Sequence, residues 1–352
     1  MDKPTILITG GAGFIGSALC RYLVQNSLAR VVNLDALTYA ANLSSLSVLD
    51  GCDDYFFEEG NVCDAEKVDE LLEKYKPDGV IHLAAESHVD RSISGAQTFV
   101  QTNIVGTSIL LDRSLEYWKK LDEEKSERFK FHLVSTDEVY GSLGAEGLFS
   151  EETAYDPSSP YSASKAAADH LAMAWYRTYG FPVVISNCSN NYGPYQFPEK
   201  LIPLIMLNAL HHKKLPIYGD GSNVRDWLHV DDHVKALWMI WDEARIGEKY
   251  NVGGGNERTN HEVVLKICSV LDELTDSAPE GGYKSLIEFV IDRPGHDSRY
   301  AIDASKLEFE LGWEAEENFE SGIRSTVSWY LANESWWKPI IEDKYSGERL
   351  GL

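Results

Sequence analysis

The chain has 352 residues, 43% of them hydrophobic, which is enough for one large domain, or a large domain with a smaller lobe, around a sizeable buried core. A formal charge of −24 would repel nucleic acid or an anionic membrane over most of the exterior, so neither is expected as a partner, and any anionic ligand must meet a local group of Arg and Lys. Cys20, Cys52, Cys63, Cys188 and Cys268 lie far apart with no C-x-x-C pair and no accompanying His spacing; no metal is expected, and the thiols read as reduced.

From "MDKP" the chain passes directly into the apolar run "TILIT" (5–9), without the h-region of a signal peptide. No later apolar run approaches the roughly 18 residues of a membrane span, so a cytoplasmic protein is expected. Runs rich in β-branched residues recur at "VVNL" (31–34), "VIHLAA" (80–85), "FHLVS" (131–135) and "VVISN" (183–187). Between them, "AEKVDELLEKY" (65–75) and "TFVQTNIVGTSILLDRSLEYW" (98–118) have helical spacing. This alternation predicts βαβ crossovers, hence an α/β fold with a doubly wound parallel Rossmann sheet. The acidic "LDEEKSER" (121–128) reads as a solvated loop. After about residue 190 the alternation weakens into Gly, Pro and short mixed segments, which predicts a smaller mixed α/β lobe over 191–352, with some segments returning to the Rossmann domain of 1–190. The stretch 278–286 and the Trp-rich tail carry no readable motif.

In "TGGAGFIGS", Gly11, Gly13 and Gly16 satisfy G-x-G-x-x-G, and Gly10, Gly13 and Gly16 satisfy G-x-x-G-x-x-G. Such a string alone is equally a tight turn. Here a strand precedes it, the apolar helix "SALCRYLV" follows, and Asp35 stands about 20 residues on, at the end of the second strand. Backbone amides at a helix N-terminus would then hold a pyrophosphate, and the Asp35 carboxylate would bond the adenine ribose hydroxyls and repel a 2′-phosphate, favouring NAD over NADP.

"YSASKAAADHLA" (161–172) carries Tyr161 and Lys165 one helical turn apart on a common face. An ammonium beside the phenol, with the positive nicotinamide close by, is expected to lower the phenol pKa from near 10 and make Tyr161 a base for an alcohol proton. Y-x-x-x-K alone occurs on many helices. Upstream, "VSTDEVYG" (134–141) adds Thr136, able to hydrogen-bond the same alcohol oxygen, and two adjacent acids, Asp137 and Glu138, at the carboxyl end of a strand. Without the other motifs those acids would read as a solvated strand end; ligands in open α/β sheets bind at that edge.

Taken in order, "GGAGFIGS", "HLAAESHVDRSI", "STDEVYG", "YSASKA", "SNNYGPYQFPEKLIP", "LPIYGDG", "RDWLHVDDH" and "RPGHDSRYAID" extend over nearly the whole chain. On these motifs the sequence resembles the extended short-chain dehydrogenase/reductase family, and within it the nucleoside-diphosphate-glucose 4,6-dehydratases. The resemblance implies a hydro-lyase that forms a 4-keto-6-deoxy sugar, with NAD as cofactor and dTDP-glucose as the expected substrate. UDP-glucose is the alternative substrate, since motifs do not report one methyl group. A sugar-nucleotide epimerase or decarboxylase on the same fold, and a catalytically silent NAD-binding regulator, are the competing readings. Epimerase relatives usually carry small or neutral residues where this chain has Asp137 and Glu138. The resemblance implies that Tyr161 takes the 4-hydroxyl proton, Glu138 the C5 proton, and that a neutral Asp137 protonates the departing 6-hydroxyl.

Further residues follow from the same resemblance. Gly10, Gly13, Phe14, Ile15, Gly16, Asp35, Ala36, Leu37, Thr38, Asn61, Val62, Leu83, Ala84, Ala85, Ser87, Thr102 and Asn191 are expected at the cofactor, together with Tyr161 and Lys165. The nucleotide sugar is expected to meet Ser87, Thr136, Asn190, Lys200, Leu201, Pro216, Ile217, Tyr218, Arg225, Asn260, Asp292, Arg293 and His296, with Tyr300 as either a contact or a core residue. Arg225 and Arg293 stand out, because guanidinium forks suit phosphate oxygens. Asn61 replaces the aspartate of many relatives at the adenine pocket, and Ala36 and Ala41 replace Lys and Gly. His82 is read as structural. A homodimer is expected, paired through the helix near 98–118 and the helix beginning at Tyr161.

Overall fold

The computed structural model describes residues 3–343; the outer ends of the two expected lobes, 1–2 and 344–352, lie outside the described residues. Its strands are β1 (Thr5–Thr9), β2 (Arg30–Asp35), β3 (Tyr55–Glu59), β4 (Gly79–His82), β5 (Lys130–Thr136), β6 (Val183–Cys188), β7 (Asn190–Tyr192), β8 (Leu215–Tyr218), β9 (Val224–His229), β10 (Lys249–Val252), β11 (Glu257–Thr259) and β12 (Ile287–Val290). Seven of them form one sheet in the order β10-β6-β5-β4-β1-β2-β3. Every pairing within it is parallel. This is the Rossmann-type doubly wound sheet that the strand–helix alternation predicts, and the chain reverses direction across the sheet between β1 and β4.

Both faces are covered, which is why the strands read as nearly continuous apolar runs rather than alternating ones. On one face Ile6, Ile8 and Ile81 pack with Leu19 and Leu23 of the helix Phe14–Gln25 and with Val234, Leu237 and Trp241 of the helix Val230–Glu243. On the other, Leu7, Val32, Val80, Phe131 and Leu133 meet Val68, Leu71, Leu110, Leu111, Ala168 and Ala172. Ala168 and Ala172 belong to the helix Pro160–Tyr179, whose N-terminus is fixed by a reciprocal Ser159/Ser162 capping box with Pro160 in the first turn.

Residues after 190 contribute β10 and the helix Val230–Glu243 to the Rossmann layers, and otherwise form a lobe. The lobe contains a three-stranded sheet, β11-β9-β7, and a parallel pair, β12-β8. Its own core gathers Ile202, Ile205, Val264, Ile267, Ile323 and Val327. Trp336 and Trp337, unreadable as a motif, belong to that core. Trp336 donates to Ser45 Oγ at 3.0 Å and so ties the last described helix, Glu334–Asp343, to the first half of the chain.

Three expectations need correction. "LDEEKSER" is not wholly loop: Glu123–Arg128 is helical, because Asp122 accepts from the Lys125 amide and Glu123 and Glu124 lie in its first turn, where the helix dipole favours acids. The expected helix 98–118 is interrupted. Ala96–Phe99 is α-helical, Val100–Gly106 is a π-helical stretch, and Thr107–Trp118 is α-helical again. The run "VIHLAA" leaves the sheet at His82, because the Leu83 amide still bonds Thr9 O while the chain turns out toward the strand edge. β3 and β10 were not expected; "YFFEE" and "KYNV" are short, and the charges that flank them mask the pattern.

His82, His132 and His233 are buried at polar seams of the sheet, His82 between the Thr9 and Thr107 hydroxyls at 2.6 and 3.0 Å. Burial holds each imidazole neutral, at about 3 against an ordinary 6.5. Below about pH 6.5 the unfolded chain therefore binds protons that the folded chain refuses, and stability falls with pH. Each histidine should cost about 2 kcal/mol by about pH 5. Urea unfolding at that pH and at neutrality should show this loss, and His132→Gln should shrink it by about one histidine's share.

Candidate active site

A cleft of about 320 Å³ opens at the carboxyl edge of the sheet. Its floor begins at the glycine turn after β1. Gly10 has φ +75°, and a Cβ there would stand 2.7 Å from the Ala84 amide nitrogen. A Cβ on Gly16 would strike Gly10 O at 2.1 Å, so the turn and the helix Phe14–Gln25 interlock through bare backbone. At Gly13 the nearest atom is Gly10 O at 3.3 Å, which leaves that backbone approachable. Asp35 ends β2 with its carboxylate accepting from the Ala12 amide (2.9 Å) and the Leu37 amide (2.8 Å). Burial raises its pKa and these two amides pull it back. The set is a fixed acid beside a glycine cradle at a helix start, and it fits a dinucleotide.

Of the residues expected at the cofactor, Gly10, Gly13, Phe14, Ile15, Gly16, Asp35, Ala36, Thr38, Asn61, Val62, Leu83, Ala84, Ala85, Ser87, Thr102, Tyr161, Lys165 and Asn191 line this cleft. Leu37 stands just behind the wall, in a left-handed conformation (φ 49°). Asn61 accepts from the Cys63 amide at 2.8 Å, so part of its carbonyl oxygen serves its own turn. Asn191 Oδ1 accepts from His233 Nδ1 at 2.8 Å, and its Nδ2 donates to Ser189 O at 3.0 Å.

Thr136, Asp137, Glu138, Tyr161 and Lys165 converge on the same wall. β5 delivers Thr136, and a 3₁₀ turn over Asp137–Tyr140 sets the two acids beyond it. Asp137 is buried: Thr136 Oγ1 reaches its Oδ1 at 3.3 Å, while its Oδ2 finds no hydrogen-bond partner among the described residues. Burial, then the Glu138 charge, then Asp226, push Asp137 well above the ordinary carboxylate range. Glu138 is also raised by burial, but Arg293, Arg225 and Lys200 each pull it back. Both acids are thus raised, but Glu138 less than Asp137, because three cations oppose its burial.

Tyr161 departs from expectation. Burial and the Glu138 charge push its phenol well above 10, offset in part by the Thr136 hydroxyl. Lys165 points its ammonium to Val134 O at 2.8 Å, and burial lowers its own pKa. The lowered phenol pKa expected from Y-x-x-x-K is therefore not supplied by the chain alone; desolvation of the phenolate outweighs the lysine.

The expected substrate residues fall into two groups. Ser87, Thr136, Asn190 and Lys200 line the cleft, with Lys200 Nζ donating to Ser87 O at 3.0 Å. The others lie beyond its wall, in the lobe. Tyr218 and Arg293 share Asp90: Tyr218 donates to its Oδ2 at 3.1 Å, and Arg293 Nη1 meets its Oδ1 at 2.8 Å. Arg293 Nε is buried without a hydrogen-bond partner among the described residues. His296 bonds Asp292 Oδ1 at 2.6 Å. Arg225 lies 4.2 Å over the Tyr300 ring and donates to Val224 O and Asp297 O. Tyr300 is buried against it and donates to Asp297. Asn260 opens the helix Asn260–Leu274 with its amide on Asn223 O. Pro216 lies on β8 beside Ile217, whose side chain is packed into the lobe core that Leu201 also flanks.

Several residues of this site escaped the motifs. Asp90 lies inside "HVDRSI" yet shows its use only through Arg293 and Tyr218, which are more than a hundred residues away. Glu199 is buried and accepts from Tyr39 (2.8 Å) and Arg91 (3.0 Å), and it lines the cleft beside Lys200. Asn103 clamps the Glu86 backbone in both directions and donates to Ser164 Oγ at 2.8 Å, locking the loop after β4 to the Tyr161 helix. Cys188 also lines the wall; burial pushes its thiol up to about 12, so it is inert.

A Rossmann cradle that opens onto a threonine, an acid pair and a Tyr/Lys pair defines an extended short-chain dehydrogenase/reductase fold equipped for proton transfer. The chain belongs to the family described as GDP-mannose 4,6 dehydratase, whose pattern matches residues 7–326. A relative from Sinorhizobium fredii, described as a probable dTDP-glucose 4,6-dehydratase, is 63% identical over 347 residues, covering 99% of this chain and 98% of the relative. The crystal structure of the dTDP-glucose 4,6-dehydratase of Streptomyces venezuelae, with NAD bound, superposes with a TM-score of 0.87 at 43% identity over 96% of this chain and 99% of that one. For the Bacillus anthracis dTDP-glucose 4,6-dehydratase in complex with NAD the figures are 0.85 and 46%, over 96% and 99%.

Gly10→Ala places a side chain in a left-handed conformation and against Ala84, which should destabilise the fold by roughly 1–2 kcal/mol or more. Because the cradle itself moves, NAD binding by calorimetric titration should weaken at least about tenfold.

Proposed function

We propose that this protein is an NAD-dependent hydro-lyase that removes water from dTDP-glucose to form the 4-keto-6-deoxy sugar. The observation that carries the reading is the acid pair Asp137 and Glu138 at one cleft wall with Tyr161, a pair raised unequally because Arg293, Arg225 and Lys200 oppose the burial of Glu138. The similarity to dTDP-glucose 4,6-dehydratases over nearly the whole chain supports it. The residues around Gly10, Asp35, Ala84 and Asn191 would hold NAD, whose chemistry when bound is reversible hydride acceptance.

In this reading Tyr161 accepts the 4-hydroxyl proton, and Thr136 holds the same oxygen. Burial and the Glu138 charge raise the phenol pKa, which disfavours a free phenolate before substrate and cofactor are in place. A ketone at C4 acidifies the C5 proton, and Glu138 removes it. Arg293, Arg225 and Lys200 favour the anion of Glu138 against its burial and also offer positive charge to the diphosphate. Asp137 gives its proton to the departing 6-hydroxyl, and water leaves; Glu138 then returns its proton to C5, and the hydride that bound NAD would have stored from C4 goes to C6, which completes the 4-keto-6-deoxy sugar. The Rossmann layers thus carry the catalytic groups, and the lobe supplies most of the nucleotide contacts.

We further propose a cytoplasmic homodimer. Five unbridged cysteines suit a reducing compartment. Ile93, Val100 and Val105 expose apolar surface along the segment 89–106, a face suited to a second copy. Sedimentation at micromolar concentration should give twice the chain mass, and Val105→Asp should shift the population to monomer.

With NAD and dTDP-glucose, mass spectrometry should find a product one water lighter; unchanged mass with inverted stereochemistry would reject the reading in favour of an epimerase. Asp137→Asn should slow water loss by on the order of 10²–10⁴, yet leave exchange of the C5 hydrogen with solvent deuterium. Glu138→Gln should abolish that exchange as well.

A further inference from the structure

One buried carboxylate on the catalytic helix has no part in the steps above. Asp169 lies one turn beyond Lys165 and two beyond Tyr161, with only 1% of its surface exposed. Residues at i and i+4 share a helix face, so the Asp169 carboxylate stands over the lysine. Its Oδ2 accepts from Tyr155 Oη at 2.8 Å and from Asn187 Nδ2 at 3.1 Å, and Asn187 also donates to Thr136 O. Its Oδ1 is buried without a hydrogen-bond partner among the described residues. An ammonium in this dry layer needs a counter-charge, since the Val134 carbonyl to which it donates is neutral.

We propose that Asp169 is a positioning residue for the reaction: held as an anion by Tyr155 and Asn187, it keeps Lys165 protonated beside Tyr161. Its donors come from two directions, Tyr155 from the loop before the helix and Asn187 from β6. The charged or titratable groups that face it are Lys165 on its own helix, Tyr155, Tyr140 on the turn after β5, and Lys249 on β10. Lys249 sits 4.9 Å over the Tyr155 ring, and it is shared by Asp169, Glu151 and Glu152. Burial lowers the Lys165 pKa and Asp169 is the first influence that restores it. Without Asp169 the lysine should give up its proton at lower pH.

This inference rests on the role proposed for Tyr161, and Tyr161→Phe separates the two: substantial turnover in that variant would sink the role itself. Where Tyr161→Phe is inactive, the pH profile of kcat for Asp169→Asn tests Asp169. Its alkaline limb should move down by roughly one unit or more, with the acid limb in place, and Asp169→Glu should restore it. Loss of kcat by one factor at every pH, with both limbs unmoved, is what a purely structural role gives and would overturn the proposal. Nitrogen NMR of the Lys165 side chain in the unliganded protein, assigned by its loss in Lys165→Met, reads the charge without turnover. An ammonium signal throughout the active pH range of the wild type is required, and a neutral amine there overturns the proposal even if Asp169→Asn does not fold.

Discussion

Two carboxylates that are neighbours in sequence cannot both be taken out of water as anions at the same sheet edge, and the site is organised around this constraint. Desolvation acts on both, so what separates them is which charges each one sees. Asp137, buried in the cleft wall, meets the charges of its neighbour and of Asp226, and Asp226 is held by the Gly254 and Asn256 amides. Glu138 faces the cleft and three cations. Elimination across C5 and C6 needs a base and an acid that coexist at one pH. A single backbone step offers both, because the two residues stand side by side at the boundary between core and cleft, among different charges.

The lobe is what makes that boundary. Arg225 and Arg293 enter from β9 and from the loop after β12, far from the Rossmann core in sequence, and each is already anchored: Arg225 on the carbonyls of Val224 and Asp297, Arg293 on Asp90. Anchoring removes side-chain freedom before a ligand arrives and leaves the Arg293 Nε–H still to be satisfied. Such prepayment matters in a chain of net charge −24, where an anion approaches against the average field and must be rewarded locally.

Much of this was legible without coordinates. The cradle, Asp35, the Tyr161/Lys165 pair and the acids are local strings whose spacing states their geometry, and a doubly wound sheet follows from regular alternation. Features with no local signature stayed hidden. β10 is four residues long and enters the sheet beside β6 only because the chain returns from the lobe. Asp90 and Glu199 are ordinary acids until their partners, remote in sequence, fold against them. The π-helical stretch Val100–Gly106 has ordinary helical spacing; the Asn103 clamp on the Glu86 backbone, which holds that turn against the loop after β4, appears only in three dimensions.

The Tyr161 phenol shows why a motif can be read correctly in residues and wrongly in energetics. Y-x-x-x-K places an ammonium one turn away, and in water that would suffice to bias the phenol toward its anion. Here the same helix face is buried, desolvation penalises phenolate and ammonium alike, and Glu138 adds a repulsion that no spacing rule contains. Holding the phenol protonated at rest has a chemical logic: a proton acceptor that gains basicity only as positive charge develops beside it is engaged only with substrate and cofactor in place. In the roles proposed for Tyr161 and Asp169, one helix has two tasks, to present the phenol and to keep the lysine charged against its own burial, and the second calls for an acid within one turn.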